Sequence, residues 1–509
     1  MMMNSSKRTA INSAYSLLNQ IVTLGIALVL RKLTIVFVGV EVLGISSAIG
    51  SLLDALSLAE MGFSTAIIYF MYEPLHEKQY ERISSLMTVF RFIYLGVATF
   101  VLIGALICIP FLGEILKGVE ITSHVYVYYA LLVGDSIVQY MLAYKRVLLY
   151  ADQKEYFSQR IDVSFNVVFS LSRIIIITCT HRFDLFLLSK VVQTAVSNLY
   201  IHKKCSELYP DVKAVKLDLL LLKNVMRSVR HIFSSKLAYY INTSTDNIVI
   251  SSIIGAVEVG LFTNYTTVTL GIKRLAVSIM KPVSPLIGDI LADRKANFGK
   301  RVSILGLYTH ITYMISLFTL IPTAVLLDMF ICALYGEDFL LNGNVCKLLI
   351  IDLFITFMHR GCCDYINGLG LFKQDKYIEY IAAFINITAS IVLAHCIGVV
   401  GVLLGTVVSG LFFWIGRSWV VFKNAMNNDW HSLRIYWMHN IKYFITFGIT
   451  YYICVFLVSM FDIRMPFVVR FLLSGCICEM VAVVLYFPIY FYTDDGREVF
   501  RILKKIISR

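Results

Sequence analysis

The chain has 509 residues, of which 58% are hydrophobic and 15% charged, and its mean hydropathy is +0.76. Ordinary soluble domains carry about 45–50% apolar and about 25% charged residues. So much apolar surface cannot be hidden in one soluble core, which excludes a soluble enzyme, a nucleic-acid-binding module and a disordered scaffold and leaves a polytopic membrane protein.

The opening Met-Met-Met-Asn-Ser-Ser-Lys-Arg leads into a long apolar run with no small-residue cleavage site, and it reads as a first spanning helix, not a removed signal. A spanning helix needs about 20 mostly apolar residues. That window predicts segments at 11–37, 43–70, 84–112, 123–149, 159–180 and 184–202. After a polar interval come 231–254, 259–288, 303–328, 345–371, 376–396, 399–422, 440–460 and 467–492, fourteen in all. The eleventh and twelfth are separated only by a Gly398–Gly401 bend.

Alternate loops test this count. The side of the N-terminus carries 31 Lys and Arg, and the opposite side carries three, Lys117, Arg182 and Arg464. The net charge of +12 is thus the mark of basic loops, and both termini are expected in the cytoplasm. The longest external loop is expected at 329–344 and the longest internal one at 203–230, with an amphipathic stretch from Val215 to Val229 lying in the interface. Neither can house a soluble catalytic domain.

The chain also repeats itself. Gly39-Val-Glu41-Val-Leu-Gly44-Ile follows the first span and Gly255-Ala-Val-Glu258-Val-Gly260-Leu follows the seventh, an offset of 216 residues. Each half holds six spans, an even number, so the halves are parallel repeats with a substrate path expected between them. The expected organisation is a six-helix lobe over 1–203, a basic linker over 204–230, a second six-helix lobe over 231–424, and helices thirteen and fourteen with a basic tail over 425–509.

Charges inside spans are costly and commonly face a cavity or a partner. Arg31, Arg173, Lys190, Arg274, Lys281 and Arg360 are the candidate cavity residues; Arg274 and Arg360 fall near the middle of their spans, too deep for snorkelling. At about 100° per residue, Asp162, Asn166, Ser170 and Arg173 share a helix face, as do Asp135, Gln139 and Arg146, and Lys190, Thr194 and Ser197. Such stripes serve either a water-filled space or interhelical hydrogen bonding. Several Arg and Lys favour an anionic, phosphorylated substrate, Arg by a bidentate clamp and Lys as a point charge. The embedded acids Asp54, Glu60, Asp135, Asp162, Asp246, Asp352 and Asp364 are candidates for charge pairing or for binding a coupling ion; Asp364 lies one turn from Arg360 and is assigned to pairing.

No Walker loop, nucleophile elbow or His-Glu-x-x-His occurs, so no enzyme is expected. The eleven Cys have no metal-type spacing, the vicinal Cys362-Cys363 included, and His359 is read as packing; no metal or cofactor is expected.

The segments Asn12-Ser-x-Tyr-Ser-x-x-Asn19, Arg31, Gly39-x-Glu-x-x-Gly44-Ile and Ala59-Glu60-Met-Gly62-Phe resemble the bacterial polysaccharide-repeat-unit flippases. Ser244-Thr-Asp246-Asn-Ile-Val-Ile and Val259-Gly260-Leu-Phe-x-Asn-Tyr265 look like their second-half counterpart. These flippases belong to the superfamily of multidrug extruders and peptidoglycan-precursor flippases. The resemblance implies an all-α fold of two six-helix lobes forming a V-shaped cavity, with two further helices outside. It implies movement of an undecaprenyl-pyrophosphate-linked oligosaccharide across the bacterial inner membrane, driven by H+ or Na+, for O-antigen, capsule or exopolysaccharide assembly. It also implies a monomer working beside polymerase and assembly proteins, and makes Arg31 the best-matched basic position. A cation-coupled multidrug exporter and a peptidoglycan-precursor flippase are the rival readings; an organic-cation exporter would need an acid-dominated cavity.

Overall fold

The computed structural model describes residues 5–57, 70, 71, 74, 75, 77–152, 154–226, 245–280, 298–369, 371–461, 465–491, 493, 496 and 497. They contain helices and no strand. A chain crossing hydrocarbon must satisfy every backbone N–H and C=O within itself, and a helix does so without a partner.

The principal helices are α1 (Ser5–Phe37), α2 (Val40–Leu56), α3 (Tyr80–Cys108), α4 (Ser123–Ala143), α5 (Arg146–Ala151), α6 (Glu155–Thr180), α7 (Phe183–Leu208) and α8 (Asp246–Ile253). They continue as α9 (Ala256–Met280), α10 (Phe298–Tyr335), α11 (Gly343–Met358), α12 (Arg360–Leu369), α13 (Phe372–Ile397), α14 (Val399–Ala425), α15 (Trp430–Ser459) and α16 (Phe467–Tyr486). Nine of the described helices are long and apolar enough to cross a membrane, namely α1, α3, α4, α6, α10 and α13 to α16. The protein is a multi-pass membrane protein.

The other five expected spans have identifiable reasons for standing apart. α2 is described for only 17 residues, and 58–69 lie outside the described residues. α7 carries Asp184 and Lys190 and ends in Lys203, Lys204 and Glu207, and α9 carries Glu258, Lys273 and Arg274. Of 231–254 only the stretch from 245 onward is described. The tenth span, expected unbroken over 345–371, is two helices, because α11 stops at Met358 and α12 starts at Arg360. At the break both the backbone N–H (3.1 Å) and Nδ1 (2.8 Å) of His359 reach the Ile355 carbonyl, so the side chain competes for a helical acceptor. The fourth span, expected over 123–149, breaks likewise between Ala143 and Arg146. Each second piece begins with an arginine.

Two loop expectations are corrected as well. α10 runs on to Tyr335, so the connector expected at 329–344 is only 336–342. The stretch from Val215 is not helical until residue 219; helix is described over 219–226, with Val225 buried and Leu219 and Leu220 exposed.

The chain forms two compact units, Met1–Thr263 and Asn264–Arg509. Within the first, α1 packs along α6, and α4 lies against α3 and α7. Within the second, α13 and α14 form a close hairpin, and α11 lies against α10 and α14. The fourth span thus touches the third and sixth, and the tenth touches the ninth and twelfth, as the repeat requires. Gly39 (φ 112°) and Gly255 (φ 156°) precede α2 and α9 at the same repeat position, with a backbone shape that side chains disfavour. α15 and α16 are tied to α10 by His310, whose Nδ1 lies 2.9 Å from Tyr443 Oη and whose Nε2 lies 2.8 Å from Tyr486 Oη. His310 is buried.

Candidate functional site

In the first unit, the three predicted stripes meet in one polar seam between α4, α6 and α7. Asp135 on α4 accepts from Thr194 Oγ1 (2.6 Å) and pairs with Lys190 Nζ (3.2 Å). The Lys190 side chain remains 45% exposed, so its ammonium is available beyond that pair. Asp54, exposed on α2, lies within electrostatic reach of it.

One turn along the seam, Arg173 is buried on α6. Its Nη2 donates to Ser170 Oγ (2.9 Å), Gln193 Oε1 (2.8 Å) and Asn166 Oδ1 (3.4 Å), and Nε donates to the Phe169 carbonyl (3.2 Å). Asn166 in turn donates to Thr23 of α1 at 3.3 Å. Arg146, opening α5 after the break, clamps Asp162 through Nη1 (2.6 Å) and Nη2 (2.8 Å) and reaches Asn198 Oδ1 with Nε (2.7 Å). Arg146 and Asp162 are therefore a bidentate pair that fixes α5 to α6.

Arg31, also a cavity candidate, donates to the Gly260 carbonyl (3.0 Å) and to the Thr263 hydroxyl. These bonds pin α1 to the start of α9. Asp246 stands at the N-terminus of α8, where a carboxylate suits the helix dipole.

In the second unit, Arg360 opens α12 with its side chain 40% exposed and Nε 3.4 Å from Asp364 Oδ1. Asp364 is buried and takes a 2.7 Å hydrogen bond from Tyr308 Oη on α10. Asp352 lies within electrostatic reach of Lys273, and Arg274 is exposed on α9. Lys281 and Glu60 lie outside the described residues.

One group was missed. Arg417, one of the 31 basic residues on the side of the N-terminus, is buried in α14. Its Nε and Nη2 donate to Asp375 (2.8 and 2.6 Å), and Nη2 also reaches Glu379 Oε1 at 2.9 Å, both on α13. The guanidinium sits 3.7 Å from the Phe413 ring centroid. The signal lay in the spacing of Asp375 and Glu379, one turn apart at the entry to a helix whose hairpin partner holds a lone arginine. Among the described residues no group of three or more His, Cys, Asp and Glu could hold a metal.

Each unit thus carries half-exposed cations backed by acids and hydroxyls, an arrangement suited to binding anions. The fold is that of membrane transporters of the flippase and multidrug-extruder type. The family model described as polysaccharide biosynthesis protein matches residues 10–291, and the chain belongs to that family. Among solved structures, the lipid II flippase MurJ in an inward closed conformation superposes with a TM-score of 0.70 at 16% identity, covering 94% of this chain and 99% of that one. An inward-facing multidrug resistance MATE family transporter of the MOP superfamily gives 0.56 at 16% identity over 84% and 97%. An outward-facing multidrug resistance MATE family transporter gives 0.55 at 16% identity over 83% and 97%. No curated protein matches the sequence.

Proposed function

We propose that this protein moves an undecaprenyl-pyrophosphate-linked oligosaccharide repeat unit from the inner to the outer leaflet of the bacterial cytoplasmic membrane, for surface polysaccharide assembly. The observation that carries the reading is the family match over residues 10–291 joined to cations that remain partly exposed in both units, Lys190 in the first and Arg274 and Arg360 in the second. A pyrophosphate is a dense anion that Arg clamps bidentately and Lys attracts as a point charge. Arg31 and Arg173, held by neighbouring polar groups, serve in this reading as ordered binding residues of the first unit, and Lys281 remains a candidate from the sequence.

Both termini lie in the cytoplasm in this proposal, since 31 basic residues fall on their side and three on the other. With no nucleotide-binding loop in the sequence, an H+ or Na+ gradient drives alternating access, with Asp54, Asp135, Asp246 or Asp352 as the ion-binding candidates. The protein acts as a monomer alongside a polymerase and assembly proteins.

A peptidoglycan-precursor flippase is the second reading, supported by the fold likeness to MurJ over 94% of the chain. Mass spectrometry of lipid extracts from cells with and without the gene separates them. Accumulation of an undecaprenyl-pyrophosphate oligosaccharide in the deletion, reversed by the gene, supports the proposal and identifies the sugar. Accumulation of the peptidoglycan precursor instead favours the second reading. An unchanged pool while the glycan is being made turns the assignment to drug export.

A further inference from the structure

Away from the seam, α3, α4, α7 and the segment 209–214 of the first unit enclose a cavity of about 440 Å³. Arg91, Lys145 and Lys213 line it, and among the described residues no carboxylate does. Of the acids in the adjoining segments, Asp211 is exposed and is not among the lining residues, and two others are paired. Asp152 pairs with Lys154 (2.7 Å) and accepts from Tyr209 Oη (2.5 Å), while Glu207 pairs with Lys204 (2.7 Å). Arg91 and Lys145 repel one another across the cavity, so three cations converge with no counter-ion among the described lining groups.

The walls are fixed by hydrogen bonds. Lys145 Nζ donates to Ser206 Oγ (2.5 Å), and Tyr144 Oη lies 3.1 Å from His202 Nε2. The backbone N–H groups of Lys213 and Val215 donate to Ser84 Oγ (3.1 Å) and Thr88 Oγ1 (3.3 Å), laying the linker along α3.

On three of the lining segments a polar residue and an apolar one stand a turn apart. Arg91 is followed one turn deeper on α3 by Leu95. Lys145 is preceded one turn deeper on α4 by Met141, and His202 one turn deeper on α7 by Leu199. In each of the three segments the polar residue of the pair is the one nearer the basic side, whichever way the chain runs, Lys145 lying just past the end of α4. Leu95, Met141 and Leu199 are 38%, 47% and 53% exposed, so the apolar floor opens outward. A cationic level above an apolar, outward-open level reproduces the boundary between headgroups and acyl chains.

We propose that this cavity seats the headgroup phosphate of an anionic phospholipid from the leaflet on the basic side, a resident lipid distinct from any transported molecule. Arg91 clamps the phosphate, Lys145 and Lys213 neutralise it, and the acyl chains leave past Leu95, Met141 and Leu199. Because Lys213 belongs to the linker between the repeats, the lipid also fastens that linker to α3. The proposal is independent of the transport reading.

The test uses purified full-length protein in detergent and native mass spectrometry with phosphatidylglycerol, with phosphatidylethanolamine of the same chains, and with sn-glycerol 3-phosphate. Wild type is expected to retain phosphatidylglycerol selectively and to ignore the soluble phosphate. The Arg91→Gln/Lys145→Gln double variant should lose retention about tenfold or more, since each basic group near a membrane surface contributes about an order of magnitude or less. Lys216→Gln, exposed and outside the cavity, is the matched control. Equal retention of both lipids, unchanged retention by the double variant, or full displacement by the soluble phosphate would each overturn the proposal. Should the double variant fail to fold, Arg91→Gln alone is read, and a photoactivatable phosphatidylglycerol must label the peptides holding Leu95, Met141 or Leu199. Labelling confined to other peptides overturns the site.

Discussion

Gly44 on α2 and Gly260 on α9 hold the same position in the two repeats, 216 residues apart, and they pack against each other. The contact is reciprocal. A Cβ at Gly44 would lie 1.8 Å from the Ala256 carbonyl oxygen, and one at Gly260 would lie 2.6 Å from that of Val40. Ala256 and Val40 are themselves repeat equivalents, the first residues of α9 and α2.

Because the obstructing atoms are backbone, neither glycine can be enlarged without separating the helices. Gly44→Ala is expected to be the more damaging and to yield little folded protein. Gly260→Ala should melt below wild type but survive. Gly50→Ala on the same α2 has open space around its Cβ and should match wild type or gain up to about 1 kcal/mol from helix propensity. Thermal unfolding with size-exclusion chromatography in detergent ranks the three. A Gly44→Ala protein that melts with wild type would show that the close approach is not needed.

The Arg417 group makes a stability prediction. Removing one member of a buried ion pair leaves an uncompensated charge, at a penalty of about 3–5 kcal/mol. Arg417→Leu strands Asp375 and Glu379, both buried, and should sharply lower the yield of folded protein. Arg417→Lys should restore only part, because an ammonium cannot reproduce the fork that meets both Asp375 oxygens. Arg417→Leu combined with Asp375→Asn and Glu379→Gln should recover more than Arg417→Leu alone, and failure to do so would show that packing on Phe413 matters more than charge.

Those residues also show what the sequence makes legible. The repeat, the helical class and the seam follow from local spacing, because Asp162 to Arg173 and Lys190 to Ser197 each lie on one helix and their faces are fixed by its pitch. The pairing of Arg417 with Asp375 and Glu379 depends on how two helices are set against each other, which periodicity does not encode. The breaks before Arg146 and Arg360 are likewise hidden. Neither has a proline at the break, and at His359 the interruption comes from an imidazole taking a helical carbonyl.

Lys145 supplies a pH prediction for the lipid cavity. Burial pushes its ammonium below the usual lysine range; Cys205 opposes that shift and Arg91 adds to it. Tyr144, His202, Tyr209 and Lys213 also face the cavity. A lysine lowered in this way loses its charge as pH rises, before an ordinary lysine near about 10.4 would. Phosphatidylglycerol retention in wild type should therefore weaken as pH rises, beginning below the usual lysine value of about 10.4. Lys145→Arg, which stays charged, should flatten that decline; an unchanged profile would remove Lys145 from the headgroup contacts.

The transport prediction rests on the cations of the second unit. Arg274 is exposed on α9, and Arg360 keeps 40% of its side chain exposed while Asp364 is held by Tyr308 on its other oxygen. Neutralising Arg274 removes an exposed group, and in the Arg360 variant Asp364 retains its tyrosine donor, so the buried framework stays in place. Hydrogen bonds to charged groups contribute about 1.5–3 kcal/mol each. Arg274→Gln and Arg360→Gln should therefore lower transport of the lipid-linked oligosaccharide by roughly ten- to a hundred-fold while membrane insertion and thermal stability stay near wild type. Lys replacements separate two modes of recognition. Where the arginine only supplies charge, Lys should restore most of the transport, and where it clamps phosphate through two N–H groups, Lys should restore little. Flipping of the labelled lipid-linked oligosaccharide in proteoliposomes measures this directly, and wild-type rates in both Gln variants would remove these arginines from the substrate path.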